Sequence, residues 1–327
     1  MPVRALTQWQ IGKESNWGTA VVATARLMGV TPKSSIAPDN VSKVYEDVRN
    51  GFQGSGLAGL EQIGAKGDLE MVATFEDLPY LLDNALGEAT PSGTASPYTR
   101  AYAMPVGSIT APRIWTIIYG NSQTGGGVYT VPGALITSLK FSAKTGGPMM
   151  VTAGIVGKQI TTAGVLASLS DRAVTPIMGQ PWAVKMDAWG GTMGATALSA
   201  TVVGFDVTVD LKREVVRSVD ALAPDSWETT GAAVKLDLTL RFNATTKAEV
   251  DAIVAQSAVI QKQIALSQTA GVQKCEFQFA GTLTGQPKIY DDQNGVLTTS
   301  LSYDGTYHTT FANSFKMNVL NSVAALV

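Results

Sequence analysis

A chain of 327 residues is long for one ordinary domain and sufficient for two of about 150 residues each. Only 15% of the residues are charged and the net charge is −2, which excludes the basic footprint of a nucleic-acid-binding protein and suits a surface buried against further copies of itself. The single cysteine, Cys275, excludes an intrachain disulfide, and no apolar run approaches the ~18 residues a membrane helix needs. Met1 to Gln10 lacks the apolar core of a signal peptide, so the chain reads as soluble and made in the cytoplasm.

In chain order, residues 1–32 show no sustained periodicity. They read as an N-terminal arm whose Trp9, Trp17, Val21, Val22 and Leu27 still need burial, which predicts packing on a neighbouring chain. Leu69, Met71, Ala73 and Phe75, spaced two apart, predict a strand. Leu78 to Leu86 predicts a short helix, capped by Asp77, with Pro79 in its first turn and Gly87 at its end. Phe205, Val207, Val209 and Leu211 alternate with Asp206, Thr208 and Asp210, giving a strand with one buried and one wet face. Val234, Leu236, Leu238, Leu240 and Phe242 alternate in the same way. Thr246 and Glu249 form a capping-box pattern, and Val250, Ile253, Val254, Ile260 and Ile264 predict a long helix ending near Gly271. Asn294-Gly295 and Asp304-Gly305 are hairpin signals, and Phe315, Met317 and Val319 mark a last strand.

An order recurs in these elements. The strand ending at Phe75 precedes the short helix, and the strand ending at Phe242 precedes the long one. Ser138-Leu139-Lys140-Phe141-Ser142 also resembles Ser314-Phe315-Lys316-Met317-Asn318. The fold expected is mainly β with few helices: an arm over 1–32, then two β-sandwich or barrel domains, 33–165 and 166–327, each with one packed helix.

Motifs for chemistry are weak. Gly54-Ser55-Gly56-Leu57-Ala58-Gly59 matches a dinucleotide fingerprint, but a polar stretch precedes it and Gly64 and Gly67 follow, so it reads as a surface loop. His308 is the only histidine and reads as a surface or interface residue on a strand. Cys275 reads as a small apolar strand residue, and Asp291-Asp292 as turn residues rather than a calcium loop. Asn243-Ala244-Thr245 has the form of a glycosylation sequon and reads as the start of a helix. No catalytic, cofactor or metal residues are assigned, and an enzyme is not expected.

The stretch Glu14-Ser15-Asn16-Trp17-Gly18-Thr19-Ala20 resembles the E-x-x-W/Y-G-T-A segment near the start of many siphophage tail tube proteins. Glu76-Asp77-Leu78-Pro79-Tyr80-Leu81-Leu82 resembles their E-D-L-x-x-L-L helix. The order that follows is similar too: a loop from Pro91 to Pro97, an aromatic strand with Tyr98 and Tyr102, Gly133, and the S-L-x-F-S strand. The resemblance implies a virion protein of the phage tail. Its rings stack into a hollow tube, strands from each subunit join one inner barrel, the arm and a long loop reach a neighbouring ring, and the genome passes through the lumen. A tandem version would need three chains per ring. The partners implied are further copies of the chain, the tape measure protein and tail-end proteins, with DNA in transit but not specifically bound, and no membrane.

A lumen that lets DNA slide is expected to be neutral to acidic. The cleanest alternating strands nominate Asp206, Thr208, Asp210, Asp237 and Thr239 in the second domain, and Asp68 and Glu70 in the first. Lys212, Lys235 and Arg241 sit on the same polar faces and must pair with the acids or lie at the rim. The rival readings are a baseplate or tail-terminator subunit and a carbohydrate-binding β-sandwich. The latter should expose a planar row of aromatics, which none of these strands carries.

Overall fold

The computed structural model describes every residue except 1–5, 46–56, 94, 109–110, 122, 124–125, 163, 199–201, 286–290, 294 and 327. The protein is mainly β, with two helices among the described residues. The first half of the chain contributes β1 (Gln8–Lys13), β2 (Ala25–Arg26), β3 (Ser35–Pro38), β4 (Val41–Tyr45), β5 (Leu57–Gln62), β6 (Ala65–Val72), α1 (Leu78–Leu86), β7 (Tyr98–Ala103), β8 (Trp115–Gly120), β9 (Val128–Lys144) and β10 (Met150–Gly157). The second half contributes β11 (Ala183–Ala188), β12 (Val202–Asp210), β13 (Arg213–Val216), β14 (Ser226–Thr229), β15 (Ala233–Arg241), α2 (Ala244–Val254), β16 (Gln261–Ala270), β17 (Gln273–Thr284), β18 (Asp291–Gln293), β19 (Val296–Gly305) and β20 (Phe315–Asn321).

Pairing is antiparallel throughout. In the first half it runs β1–β8–β9–β10–β6–β3, and in the second β11–β16–β17–β19–β15–β12. Ranked along the chain, the two paths visit their strands in the same order. In each half an additional hairpin, β4–β5 or β13–β14, lies between the two strands that precede the helix. The halves are joined by hydrogen bonding of β9 to β12, from Lys144 opposite Gly204 to Ser138 opposite Asp210, and of β7 to β20. The result is a 16-stranded sheet, with each hairpin a separate two-stranded one.

The alternating residues explain why the sheet has one dry face. Leu69 and Met71, Leu139 and Phe141, Val207 and Val209, and Leu236 and Leu238 are buried from β6, β9, β12 and β15. An aromatic cluster ties the halves together across the core. The Phe277 ring of β17 lies 5.2 Å from Phe141 of β9 and 6.0 Å from Phe205 of β12, both edge-on. Removing such a ring leaves a cavity that rigid strands cannot close. Phe277→Ala should therefore cost about 3–5 kcal/mol, read as a lowered denaturant midpoint.

Several expectations need correction. The stretch 1–32 does contain a core element: β1 pairs along its length with β8, and Trp9 and Ile11 are buried. No period showed because most of β1 is buried on both faces, with Gln10 and Gly12 as covered as their apolar neighbours. The second helix stops at Val254, and Ile260 to Gly271 is not helical. Ile264 instead lies in β16 opposite Phe279 of β17, where its burial is strand burial, and its spacing of four from Ile260 misled. The helix cap is Asn243, whose side chain accepts from the Thr246 N–H at 3.0 Å, while Glu249 pairs with Lys262 at 2.9 Å rather than closing a capping box. Asp304-Gly305 is no turn: Asp304 pairs with Lys235, and β19 runs on to Gly305. At the other signal, Gln293 pairs with Val296 and Gly295 takes a positive φ of 79°, as a two-residue hairpin requires; Asn294 lies outside the described residues. The likeness of 138–142 to 314–318 is not positional, because by strand order the counterpart of β9 is β17, not β20.

Candidate assembly surfaces

Helix α1 is buried along its whole length, polar residues included. Each polar side chain of the E-D-L segment and its helix fastens a distant piece of chain. Glu76 accepts from the Thr175 N–H at 2.7 Å and from Gln273 at 2.5 Å. Asp77 does not cap the helix; its carboxylate holds the Met28 N–H, the Thr74 hydroxyl and Arg172. Burial raises the Asp77 carboxyl above its ordinary value, and the Arg172 charge opposes that rise. Asp83 accepts from the Tyr102 hydroxyl at 2.8 Å and the Ala89 N–H at 3.3 Å, and faces Arg113 at 3.8 Å. Asn84 donates to the Arg113 and Ala134 carbonyls and accepts from the Ile136 N–H. Arg213, from β13 in the other half, donates to the carbonyls of Asn84, Ala85 and Ile136 at 2.7, 2.6 and 2.9 Å. Burial lowers its pKa to about 10.

The segment from Glu14 is a second fastening. The Glu14 carboxylate accepts from the Gly18 N–H at 2.7 Å, the Gly133 N–H at 2.8 Å and the Thr116 hydroxyl at 2.7 Å. The Trp17 indole donates to the Gly133 carbonyl at 3.0 Å, with the Lys158 ammonium 4.7 Å from its ring. Gly133 has φ +65°, and a Cβ there would meet the indole nitrogen at 2.9 Å, so the close approach requires glycine. Burial raises the Glu14 pKa above its ordinary 4.5, outweighing the hydrogen bonds that lower it. A raised folded-state pKa means the folded chain holds the proton longer. The Glu14 contribution is then greatest below pH 4.5 and declines as pH rises through the raised value. Glu14→Gln should remove this slope, so that the wild type loses its denaturation midpoint relative to the variant as pH rises through that window.

Of the residues nominated for neighbour contacts, Trp9 stacks on Tyr119 at 4.8 Å and Leu27 is buried, both in the chain's own core. Trp17 is half-buried against Gly133 and Lys158, Val21 is half-buried, and Val22 is 74% exposed. Val22 is thus the residue of that set with most surface to offer.

The residues nominated for the lumen lie on one face of one sheet. Reading across the register, Glu70 stands opposite Thr152, which stands opposite Lys140, then Thr208, then Lys235, then Asp304. One step along, Asp68, Gly154, Ser138 and Asp210 form a parallel row; on the other side Ser142, Asp206, Asp237 and Ser302 form another. Thr239 is opposite Gly204 and Ser300. All are half-buried or exposed, while their alternating neighbours are buried. Bases share this face: Lys66, Lys140, Lys144, Lys235 and Arg241 stand among Asp68, Glu70, Asp206, Asp210, Asp237 and Asp304. Lys140 pairs with Asp206 at 3.7 Å and Lys235 with Asp237 at 3.1 Å, so the face is close to neutral rather than acidic. Lys212 lies past the end of β12 in left-handed backbone.

The motifs doubted for chemistry have structural places. Leu57 to Gly59 begin strand β5; Gly54 to Gly56 lie outside the described residues. His308 is buried rather than at the surface: its Nε2 is 2.7 Å from the Trp189 carbonyl and its Nδ1 accepts from the Phe311 N–H. Cys275 is fully buried in β17, and burial pushes its thiol up. Asn243 serves as the cap of α2.

The described residues make a β-protein whose sheet is polar on one face and dry on the other, fastened by side chains that bind backbone. The family model described as phage tail tube protein matches residues 5–306, and the chain belongs to that family of phage tail components. Compared with curated proteins, the chain matches none.

Proposed function

We propose that copies of this chain close into rings, that the rings stack into the hollow tail tube, and that the polar face of the sheet from β3 to β19 lines the channel through which phage DNA passes. The observation that carries this reading is the unbroken polar face across strands of both halves, backed by one continuous core. A wall whose acids and bases nearly balance, with Lys140 paired to Asp206 and Lys235 to Asp237, gives phosphates little net attraction and releases few counterions, so DNA can slide without sticking. The shared strand order of the halves supports a duplicated tail-tube unit, so that three chains supply six units to a ring. The tape measure protein inside the tube and tail-end proteins at its tips are the other partners of this reading.

Electron microscopy of the purified protein tests it. The expected image is long open tubes with three chains per ring. Rings of six chains would overturn the three-chain ring and make one half an external decoration, and single discs or caps that never elongate would favour a terminator or baseplate subunit instead.

A further inference from the structure

The two halves have the same strand order but differently covered helices. All of α1 is buried, whereas α2 buries only Thr246 and Val250 and leaves Val254 at its C-terminal end 70% exposed. Part of the cover of α1 comes from the other half. The β13–β14 hairpin reaches across the joint, where Arg213 binds carbonyls at the C-terminal end of α1 and Arg217 approaches Asp39 at 3.6 Å. The hairpin in the matching position of the first half, β4–β5, has no such seat among the described residues. It is a separate two-stranded sheet, every residue of β4 is exposed, and Val44 is 63% and Leu60 45% exposed. Ser42 pairs with Leu60 and Val44 with Ala58, so Val44 and Leu60 share one face of the hairpin.

An uncovered helix end and an unseated hairpin occupy the places that, one half along, are filled by each other's counterparts. We propose that the β4–β5 hairpin docks on the C-terminal end of α2 in the adjacent chain of the same ring, repeating between chains the seat that β13–β14 takes within one. The occupant is a second copy of this chain. A contact in which one patch meets a different patch closes a ring when the rotation allows, and the internal joint supplies that rotation. The exposed Val254 of α2 and the apolar hairpin face bury each other. This inference rests on the ring reading above.

The test uses native lysines, Lys43 on β4 and Lys247 on α2, both exposed. Isotopically light and heavy chains are mixed, assembled, treated with a lysine-reactive cross-linker and digested for mass spectrometry, with microscopy of the same sample. Tubes that yield mixed-isotope peptides joining Lys43 to Lys247 are the expected result. Tubes in which Lys43 joins other lysines, or joins Lys247 only within one chain, overturn the docking and leave the tube reading standing. Absence of rings and tubes overturns both.

Discussion

Arg213→Ala is expected to cost about 3 kcal/mol or more of folding stability, a larger loss than any surface substitution in this chain. Three carbonyls around the end of α1 and on β9 lose their donor together. Each is walled in by core residues, and a buried acceptor left unsatisfied costs about 1–3 kcal/mol. Burial of the guanidinium, which lowers its pKa to about 10, offsets part of this, because the alanine variant no longer dehydrates a charge. The loss has a location as well as a size. Arg213 belongs to one half and its acceptors to the other, so the variant should loosen the joint first. Hydrogen exchange should quicken at Asn84 to Leu86 and Ile136 before the β15–β19 pairing opens. Arg213→Lys keeps the charge but not the planar fork that reaches several carbonyls at once, so it should recover only part of the loss. An alanine variant with an unchanged denaturant midpoint would mean that water replaces the arginine and the clamp contributes nothing.

The parts of this fold that were legible in the sequence are those with a face in water. β12, β15 and β20 alternate because one side of each is dry and the other wet, and the register then places Asp206 beside Asp237 as the polar pattern required. Elements covered on both sides gave no period. β1 and β8 are buried nearly throughout, so Trp9 looked like part of a loose arm instead of a strand residue stacked on Tyr119. α1 was found by its proline, glycine and length. Nothing in the sequence marks Asp83 and Asn84 as the buried donors and acceptors that hold β7, β9 and the segment before β8 against it.

The near-neutrality of the polar face was hidden for a different reason. Lys66, Lys140 and Lys144 come from strands remote in sequence from Asp206, and only pairing of β9 with β12 brings Lys140 to Asp206. The acids on β12 and β15, and with them Lys235 and Arg241, could be read locally; Lys66, Lys140 and Lys144, which complete the balance, could not. The identical strand order of the halves is similarly a property of pairing. In sequence it surfaced only where a strand runs into a helix, at Phe75 and Phe242.

Val44→Asp combined with Leu60→Asp should abolish tube growth while leaving the single chain folded. Both side chains are exposed, at 63% and 45%, and lie on strands whose described residues pair only with each other, so neither change removes a core contact. Surface substitutions of this kind fall within about 0.5 kcal/mol, and the denaturant midpoint of the monomer should hold. On the docking proposed above, the same two positions face the end of α2 on the next chain of the ring. Dehydrating a carboxylate against valine costs at least about 2 kcal/mol in each case, and about 4 kcal/mol together raises the concentration needed for growth roughly a thousandfold. The penalty recurs at every joint, which is why growth should stop rather than slow. A charge of opposite sign on the facing surface should reverse part of it. Val254→Lys, at the exposed end of α2, is expected to restore tubes in the doubly substituted chain and to weaken them in the wild type, where the lysine meets apolar side chains instead. Sedimentation at a series of concentrations measures both effects. Normal tubes from the double aspartate variant would place the hairpin outside the growing contact, and rescue by lysine would then have nothing to act on.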